Sequence, residues 1–486
     1  MTRPESRLDR LARLLWGLAL VTLPVTSFRY FPFLGGETSV KPLALYPLAV
    51  LLPLLLVRAV REQSRQAWNG AFIPLGLFLL AALAATAWGG LYAPLDLYSL
   101  SYWERALRAW VTLAVGLVFL LCALWMNHSE EDVRFTLKWL YIGLLLDFIW
   151  GLVQASAIYL RVPPKRTVDF WQELFSARGL VKSKRVSGLA FEPSWLANQM
   201  VMLYLPWLFA AVLKGCRISR HRWVEPALLL MAVVLILFTF SRGGIFLALL
   251  AGGLTFLLTG RAQMAAGRDW LLRPFKSPPV VPLHRLRDWA LRAGVILLLA
   301  GILVGGGLFL SQRNYFAQLW RSEERSLIEY AIDNYAGARL AHAWAALETF
   351  QARPWTGVGL GASGLYIYQN LPDWSKTTIP EIARQLSPEN RVYPNPKNLY
   401  VRLLAETGLF GFWLFVIFYL FVLGKIQSVL LSRRGFAQFV GAAGLFTWLA
   451  VVLYGFTQDS FATPNIWLGF GILLGMADHF AGAEEA

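Results

Sequence analysis

Four short runs of this 486-residue sequence combine cations, carboxylates and glycines in patterns that suit chemistry on an anion. In Arg185-Val-Ser-Gly188-Leu-Ala-Phe-Glu192-Pro193, an arginine leads into an apolar run that opens on a carboxylate. An ionisable group at the edge of hydrocarbon is costly unless paired. Glu192 is therefore expected to face the protein interior beside a basic or polar partner, with Trp195 and Gln199 on the same helical stripe, either as a structural ion pair or as part of a site. The second run, Phe238-Thr-Phe-Ser241-Arg242-Gly243-Gly244, puts one arginine between two apolar stretches with almost no loop to carry it. Arg242 is either a snorkelling interface residue or a fixed fork of donors for a phosphate, backed by exposed amides of a tight turn from Ser241 to Gly244.

The third run is Arg339-Leu-Ala-His342-Ala-Trp344, followed by Pro354-Trp-Thr-Gly357-Val-Gly359-Leu-Gly361-Ala-Ser-Gly364. Residues 359–364 match G-x-G-x-x-G, but no strand precedes them and no βαβ unit surrounds them, so a turn is expected in place of a dinucleotide site. His342 is either a packing residue or a base. The fourth run, Pro394-Asn-Pro-Lys397-Asn398 and then Gly408-Leu-Phe-Gly411, carries Arg402 and Glu406 in the helix between its halves. Lys397 there is an interface anchor or a member of the site.

The elements that position these runs must cross a membrane. Hydrophobic residues make up 57% of the chain and charged ones 15%, so water is not its main solvent. About twelve apolar runs are candidate spans, near 11–28, 42–57, 70–91, 107–126, 138–160, 189–213, 224–240, 243–259, 293–310, 399–423, 436–456 and 464–480. The expected fold is all-α, a polytopic transmembrane helix bundle with a large helical external segment. Arg3, Arg7, Arg10 and Arg13 ahead of the first run imitate a secretory leader, but no convincing small-residue cleavage site follows, so a retained first span is expected. Cys122 and Cys216 are too few and too badly placed for a disulfide framework or a zinc site. The net charge of +16 is split among short loops and not gathered on one face, which points to membrane topology and away from nucleic acid. No internal repeat or low-complexity tract is present.

With a cytoplasmic N-terminus, the basic loops at Arg58, Arg61 and Arg65, at Lys214 to Arg222, at Arg261 to Arg292 and at Lys425 to Arg434 all fall inside, and both termini are cytoplasmic. His342 is then the one histidine of five placed outside. Two external segments defy the rule. Residues 161–185, with Arg161, Lys165, Arg166, Arg178, Lys182, Lys184 and Arg185, suggest an anion partner such as a lipid phosphate. In the longer one, 312–397, residues 321–351 read as one amphipathic helix with Leu340, Trp344 and Leu347 on one face and Arg339 and His342 on another. The chain divides into N-terminal spans and a basic loop (1–184), core spans with the arginine motifs (185–311), the external helical segment (312–397) and C-terminal spans (398–486).

Taken in order, Arg-x-x-Gly-x-x-x-Glu-Pro, Ser-Arg-Gly-Gly, an external Arg with Pro-x-x-Gly-x-Gly, and Asn-x9-Gly-x-x-Gly resemble the O-antigen ligase and O-antigen polymerase superfamily from Arg185 to Gly411. The resemblance implies a metal-independent membrane glycosyltransferase, without a cofactor, on the periplasmic side of the bacterial inner membrane. Its donor would be an undecaprenyl diphosphate-linked glycan and its acceptor a glycan or lipid, among membrane lipids. Arg185, Arg242 and Arg339 would bind the diphosphate and stabilise the negative charge that builds as it leaves. Ser241, Asn398 and Arg402 would support them.

Ligases of this kind have His before the Asn, where this chain has Lys397. An ammonium is a poor proton acceptor, but nearby arginines favour its neutral form, so Lys397 either takes the acceptor's proton or stays charged on a phosphate, leaving His342 or Glu192 as the base. The substitution favours a polymerase or general surface-polysaccharide ligase over a strict lipopolysaccharide ligase. The alternative is a transporter or flippase of an anionic lipid-linked substrate, in which the arginines only bind. It is disfavoured by the lack of paired broken helices and the scarcity of deep charges such as Asp147. A non-catalytic scaffold for envelope assembly is a third reading. Trp171, Tyr366, Tyr368 and Trp374 are either sugar-stacking platforms or interfacial aromatics.

Overall fold

The computed structural model describes residues 7–30, 40–62, 69–94, 96–97, 100–180, 184–276, 282–312, 326–334, 336–387, 389–390 and 392–482. The order is α1 (Arg7–Thr22), α2 (Leu45–Glu62), α3 (Phe72–Gly89), α4 (Tyr102–Trp125), α5 (Glu130–Ala155), α6 (Lys165–Glu173), α7 (Pro193–Gln199), α8 (Leu205–Lys214), α9 (Val224–Phe238) and α10 (Arg242–Thr259). It continues with α11 (Arg261–Lys276), α12 (Pro282–Ser311), α13 (Leu327–Asp333), α14 (Gly337–Ala352), α15 (Gly364–Ile367), α16 (Asp373–Thr378), α17 (Pro380–Leu386), α18 (Leu399–Leu431), α19 (Gly435–Tyr454) and α20 (Pro464–Gly482). The one strand pair among the described residues is Asp96–Leu97 with Leu100–Ser101.

Each of the twelve apolar runs is helical, because a backbone in hydrocarbon must satisfy its own hydrogen bonds. Among the described residues, seven spans are long and apolar enough to cross a bilayer by themselves: Phe72–Gly89, Tyr102–Trp125, Glu130–Leu160, Pro193–Lys214, Arg242–Thr259, Leu399–Leu431 and Gly435–Tyr454. Leu45–Val60 and Val224–Phe238 are shorter apolar helices. The chain is an all-α polytopic membrane protein. Side-chain caps start several of the spans: Ser101 accepts the Glu104 N–H at 3.2 Å ahead of α4, and Ser129 accepts that of Asp132 at 3.2 Å ahead of α5.

Two compact units form. The first comprises Met1–Leu254, His342–Leu371 and Arg391–Ala486. Within it α20 lies along α4, α18 packs on α3 and α19, α19 packs on α8, and α1 packs on α2 and α5. The Pro193–Lys214 span is the most enclosed, with 89% of its apolar window buried against 33% for Leu399–Leu431. The helix that follows the Glu192 motif is therefore central. Small residues let α20 approach α4 closely: a Cβ on Gly471 would meet Leu120 O at 2.5 Å, and one on Gly475 would meet Leu124 O at 2.6 Å.

The second unit comprises Thr255–Ala341 and Pro372–Asn390. In it Arg292 of α12 is buried and donates to Trp270 O of α11 at 3.0 Å and to Asp288 O at 2.8 Å. Ser326 and Glu329 form a reciprocal cap on α13.

The single amphipathic helix expected over 321–351 is two helices, α13 and α14, and residues 321–325 lie outside the described residues. The faces of α14 are also reversed. Ala341, His342, Ala345, Ala346 and Thr349 are buried, whereas Trp344 and Leu347 are 49% and 38% exposed. Alanines win the buried side because their small side chains permit closer packing. Arg339 is exposed and His342 buried, so the two do not share an environment.

Candidate functional site

The first arginine run is stitched to α5 by two polar side chains. Gln154 Oε1 accepts the N–H groups of Ser187 and Gly188 at 3.0 and 2.9 Å, and its Nε2 donates to Gly188 O at 2.8 Å. One helical turn pair earlier, the buried Asp147 accepts the Leu189 N–H at 2.7 Å. Gly188 has φ +57°, and a Cβ there would overlap the Asp147 carboxylate. Only glycine fits that loop position. So anchored, Val186 N–H reaches Phe238 O at 3.0 Å and Arg185 Nε donates to Thr239 O at 2.7 Å. The first two motifs thus meet, with Arg185 held against the chain three residues before Arg242.

The expected glycine turn at Ser241–Gly244 is instead the first turn of α10. Ser241 Oγ accepts the Gly244 N–H at 3.3 Å, its carbonyl accepts that of Ile245 at 2.9 Å, and Arg242 is the first helical residue. The glycines serve packing: a Cβ on Gly244 would meet Ala197 Cβ of α7 at 2.5 Å, while Gly243 is exposed. Arg242 is half-buried at the positive end of the α10 dipole. Phe240, just before the cap, has φ +46°. Such backbone costs about 1–3 kcal/mol for a non-glycine residue and clusters at functional sites.

Glu192 opens α7 with an extended backbone, ahead of Pro193. Its basic partner is Arg178, at 3.5 Å, whose guanidinium also lies over the Phe191 ring. Ser194 Oγ donates to the same carboxylate. Glu192 is 35% exposed, so it sits at a rim, where the expectation had it facing the interior. Gln199 is buried and donates to Leu23 O at 3.1 Å. Lys182 lies outside the described residues.

The fourth motif is built on a broken helix. Gly408 interrupts α18 with φ +64° and ψ −170°, which frees carbonyls of the preceding turn. The Pro354-to-Gly359 run fills the break. Val358 N–H donates to Ala405 O and Gly359 N–H to Glu406 O, both at 2.9 Å, and Leu409 N–H donates to Pro354 O at 2.8 Å. The G-x-G-x-x-G glycines are contact residues: Gly361 packs on Arg105 O, 2.7 Å from where its Cβ would be. Tyr393 closes over the loop, with its hydroxyl on Gly361 O at 3.1 Å and its ring 3.6 Å from the Arg105 guanidinium. Burial holds the Tyr393 phenol above its ordinary range.

Inside this clasp, Arg402 Nε pairs with the buried Glu406 at 2.9 Å, and Ser363 Oγ donates to the other Glu406 oxygen at 2.7 Å. Arg402 also donates to Asp459 O at 2.6 Å. The Asp459 carboxylate in turn accepts the backbone N–H of Lys397 at 3.0 Å. Lys397 has φ +58° and stands immediately before Asn398, whose side chain caps α18 by accepting the N–H groups of Tyr400 and Val401 at 3.0 and 3.2 Å. Two of the three described non-glycine residues with positive φ, Phe240 and Lys397, thus precede the caps of two motif helices.

Arg185, Ser241, Arg242 and Glu192 gather around α7, and Lys397, Asn398 and Arg402 gather around Asp459. Helix α7 lies between these clusters: Ala197 meets Gly244, while Trp195 and Asn198 line a cleft together with Gln458 and Ser460, the neighbours of Asp459. Arg339 is exposed on α14 in the second unit, and His342 is buried on the same helix in the first. Sequence reasoning missed Gln154 and Asp459. The available signals were two polar residues seven apart in an apolar span and a lone carboxylate between two spans.

No curated protein matches the chain. Residues 227–416, from α9 through the Gly408 break and Gly411, match the family model described as O-antigen ligase. That stretch, which holds the Ser241–Gly244, Arg339 and Gly408–Gly411 runs, is similar to O-antigen ligases.

Proposed function

We propose that the protein transfers or polymerises an undecaprenyl diphosphate-linked oligosaccharide at the periplasmic face of the bacterial inner membrane, without a metal, in surface-polysaccharide or O-antigen synthesis. The observation that carries this reading is the Arg185 hydrogen bond to Thr239, which brings two separated arginine motifs together at the start of α10. Two guanidinium groups and a helix N-terminus suit a diphosphate. An acceptor hydroxyl attacks the anomeric carbon, the bond from that carbon to the diphosphate oxygen breaks, and the oxygen leaves with the electron pair. Arg185 and Arg242 stabilise that charge. The candidate acceptors of the hydroxyl proton are Lys397, Glu192 and His342. Asp459 and Asn398 support this role for Lys397 by fixing its backbone at the mouth of α18.

The test is Arg242→Ala in proteoliposomes supplied with a lipid-linked glycan and acceptor. Loss of one preorganised donor to developing charge lowers turnover by about 10²–10³-fold. A wild-type rate in this variant removes Arg242 from the site. Movement of the lipid-linked glycan across the bilayer with no bond made or broken would mark a flippase.

A further inference from the structure

The cleft beside α7 is lined by Trp195 and Asn198 on one side and by Gln458, Ser460 and Asn465 on the other. It is open to solvent, and none of the described residues lining it is charged. A diphosphate would find no counter-ion among these described residues. The polar groups are amides and hydroxyls, which both donate and accept, as neutral sugar hydroxyls do. Trp195 is half-buried, so its indole offers an apolar face to the space, the kind of surface on which the C–H face of a sugar ring packs.

A second observation points to a ligand. Asn465 is 3% exposed, and its Oδ1 is buried with no hydrogen-bond partner among the described residues. A buried acceptor left unbonded costs stability, and such exceptions need a reason. Helix α20 begins at Pro464, so Asn465 is held in the rigid first turn of a span. The opposite wall, α7, belongs to the most enclosed span of the first unit. The cleft is therefore preformed. Gln458 and Ser460 flank Asp459, whose carboxylate holds Lys397, so whatever occupies the cleft lies beside the Lys397 backbone.

We infer that this cleft is a subsite for an uncharged sugar ring, packed on Trp195 and hydrogen-bonded by Asn465, Asn198 and Gln458. The inference rests on the transfer reading and adds where the glycan is gripped, apart from the arginines that face its diphosphate.

The full-length protein in detergent micelles is tested by saturation-transfer NMR with lactose, maltose and chitobiose, and by phosphorus line broadening with inorganic pyrophosphate. Trp195→Ala and Asn465→Leu are expected to remove the saccharide signal and leave the pyrophosphate broadening intact, while Trp195→Phe keeps most of the saccharide signal. In transfer assays KM for the glycan rises about tenfold with kcat nearly unchanged, the scale of one lost buried hydrogen bond. If Asn465→Leu fails to accumulate, Asn198→Ser probes the opposite wall. The cleft is refuted by saccharide signals that are absent from wild type or equal in wild type and variants, or by pyrophosphate binding lost in the cleft variants. A wild type that binds saccharide but transfers nothing overturns the transfer reading and leaves the cleft standing.

Discussion

Replacing Gly408 by alanine tests whether the broken helix organises the Lys397 cluster. The backbone there, φ +64° and ψ −170°, is a region essentially reserved for glycine, and a side chain forced into it costs about 1–3 kcal/mol. The added Cβ would also overlap Trp355 O and lie 2.6 Å from Thr356 N. Both are backbone atoms, so relief requires moving the whole 354–359 loop. That loop makes the three hydrogen bonds that satisfy the break, each worth roughly 0.5–1.5 kcal/mol. The combined loss is about 3–7 kcal/mol, a large part of the stability of an ordinary domain. Because Ser363, Glu406 and Arg402 connect the loop to Asp459 and Lys397, transfer should fall even at temperatures where the variant is folded.

The assay is thermal unfolding in detergent together with glycan transfer, with Gly424→Ala as the control. Gly424 lies in the same helix with open space around it, so alanine there should be neutral or stabilise by up to about 1 kcal/mol. Equal melting temperatures for the two variants, or full transfer by Gly408→Ala, would refute the reasoning.

Two further outcomes follow from the same geometry. Gln154→Leu leaves the Ser187 and Gly188 N–H groups and the Gly188 carbonyl without their partner, at about 1–3 kcal/mol for each group left unbonded. It should lower the melting temperature and, by releasing Arg185, weaken pyrophosphate binding; unchanged pyrophosphate binding would mean that the α5 anchor does not position Arg185. Burial pushes the Tyr366 phenol up to about 12, so the fold favours its neutral form. The resulting stabilisation is fully present below the ordinary tyrosine range near pH 10 and is lost as pH rises through about 12. The phenolate absorbance difference between wild type and Tyr366→Phe should show that late midpoint, and a midpoint near 10 would contradict it.

The twelve apolar runs and the four motifs were legible in the sequence because they depend on local properties: hydrophobic length, and residue types at short spacing. Helix is the only local answer for an isolated segment in hydrocarbon, so element type followed directly. Partners did not. In lipid an apolar side chain is at ease against either tails or protein, so periodicity cannot say which face is buried. Phe78 and Leu80 of α3 are both apolar, yet one is fully buried and the other 64% exposed. Ser241 reads equally as a turn residue or a helix cap, and the packing of Gly244 on Ala197 decided for the cap.

Residue types and their spacing are enough to establish a helical membrane protein whose motif order resembles that of glycan ligases and polymerases. Long-range packing is what makes Gln154 the anchor of Arg185's loop, pairs Glu192 with Arg178, and sets Asp459, beyond the last motif, on the Lys397 backbone. Those choices join residues tens of positions apart through single hydrogen bonds and ion pairs, and such long-range pairings leave no trace in local residue spacing.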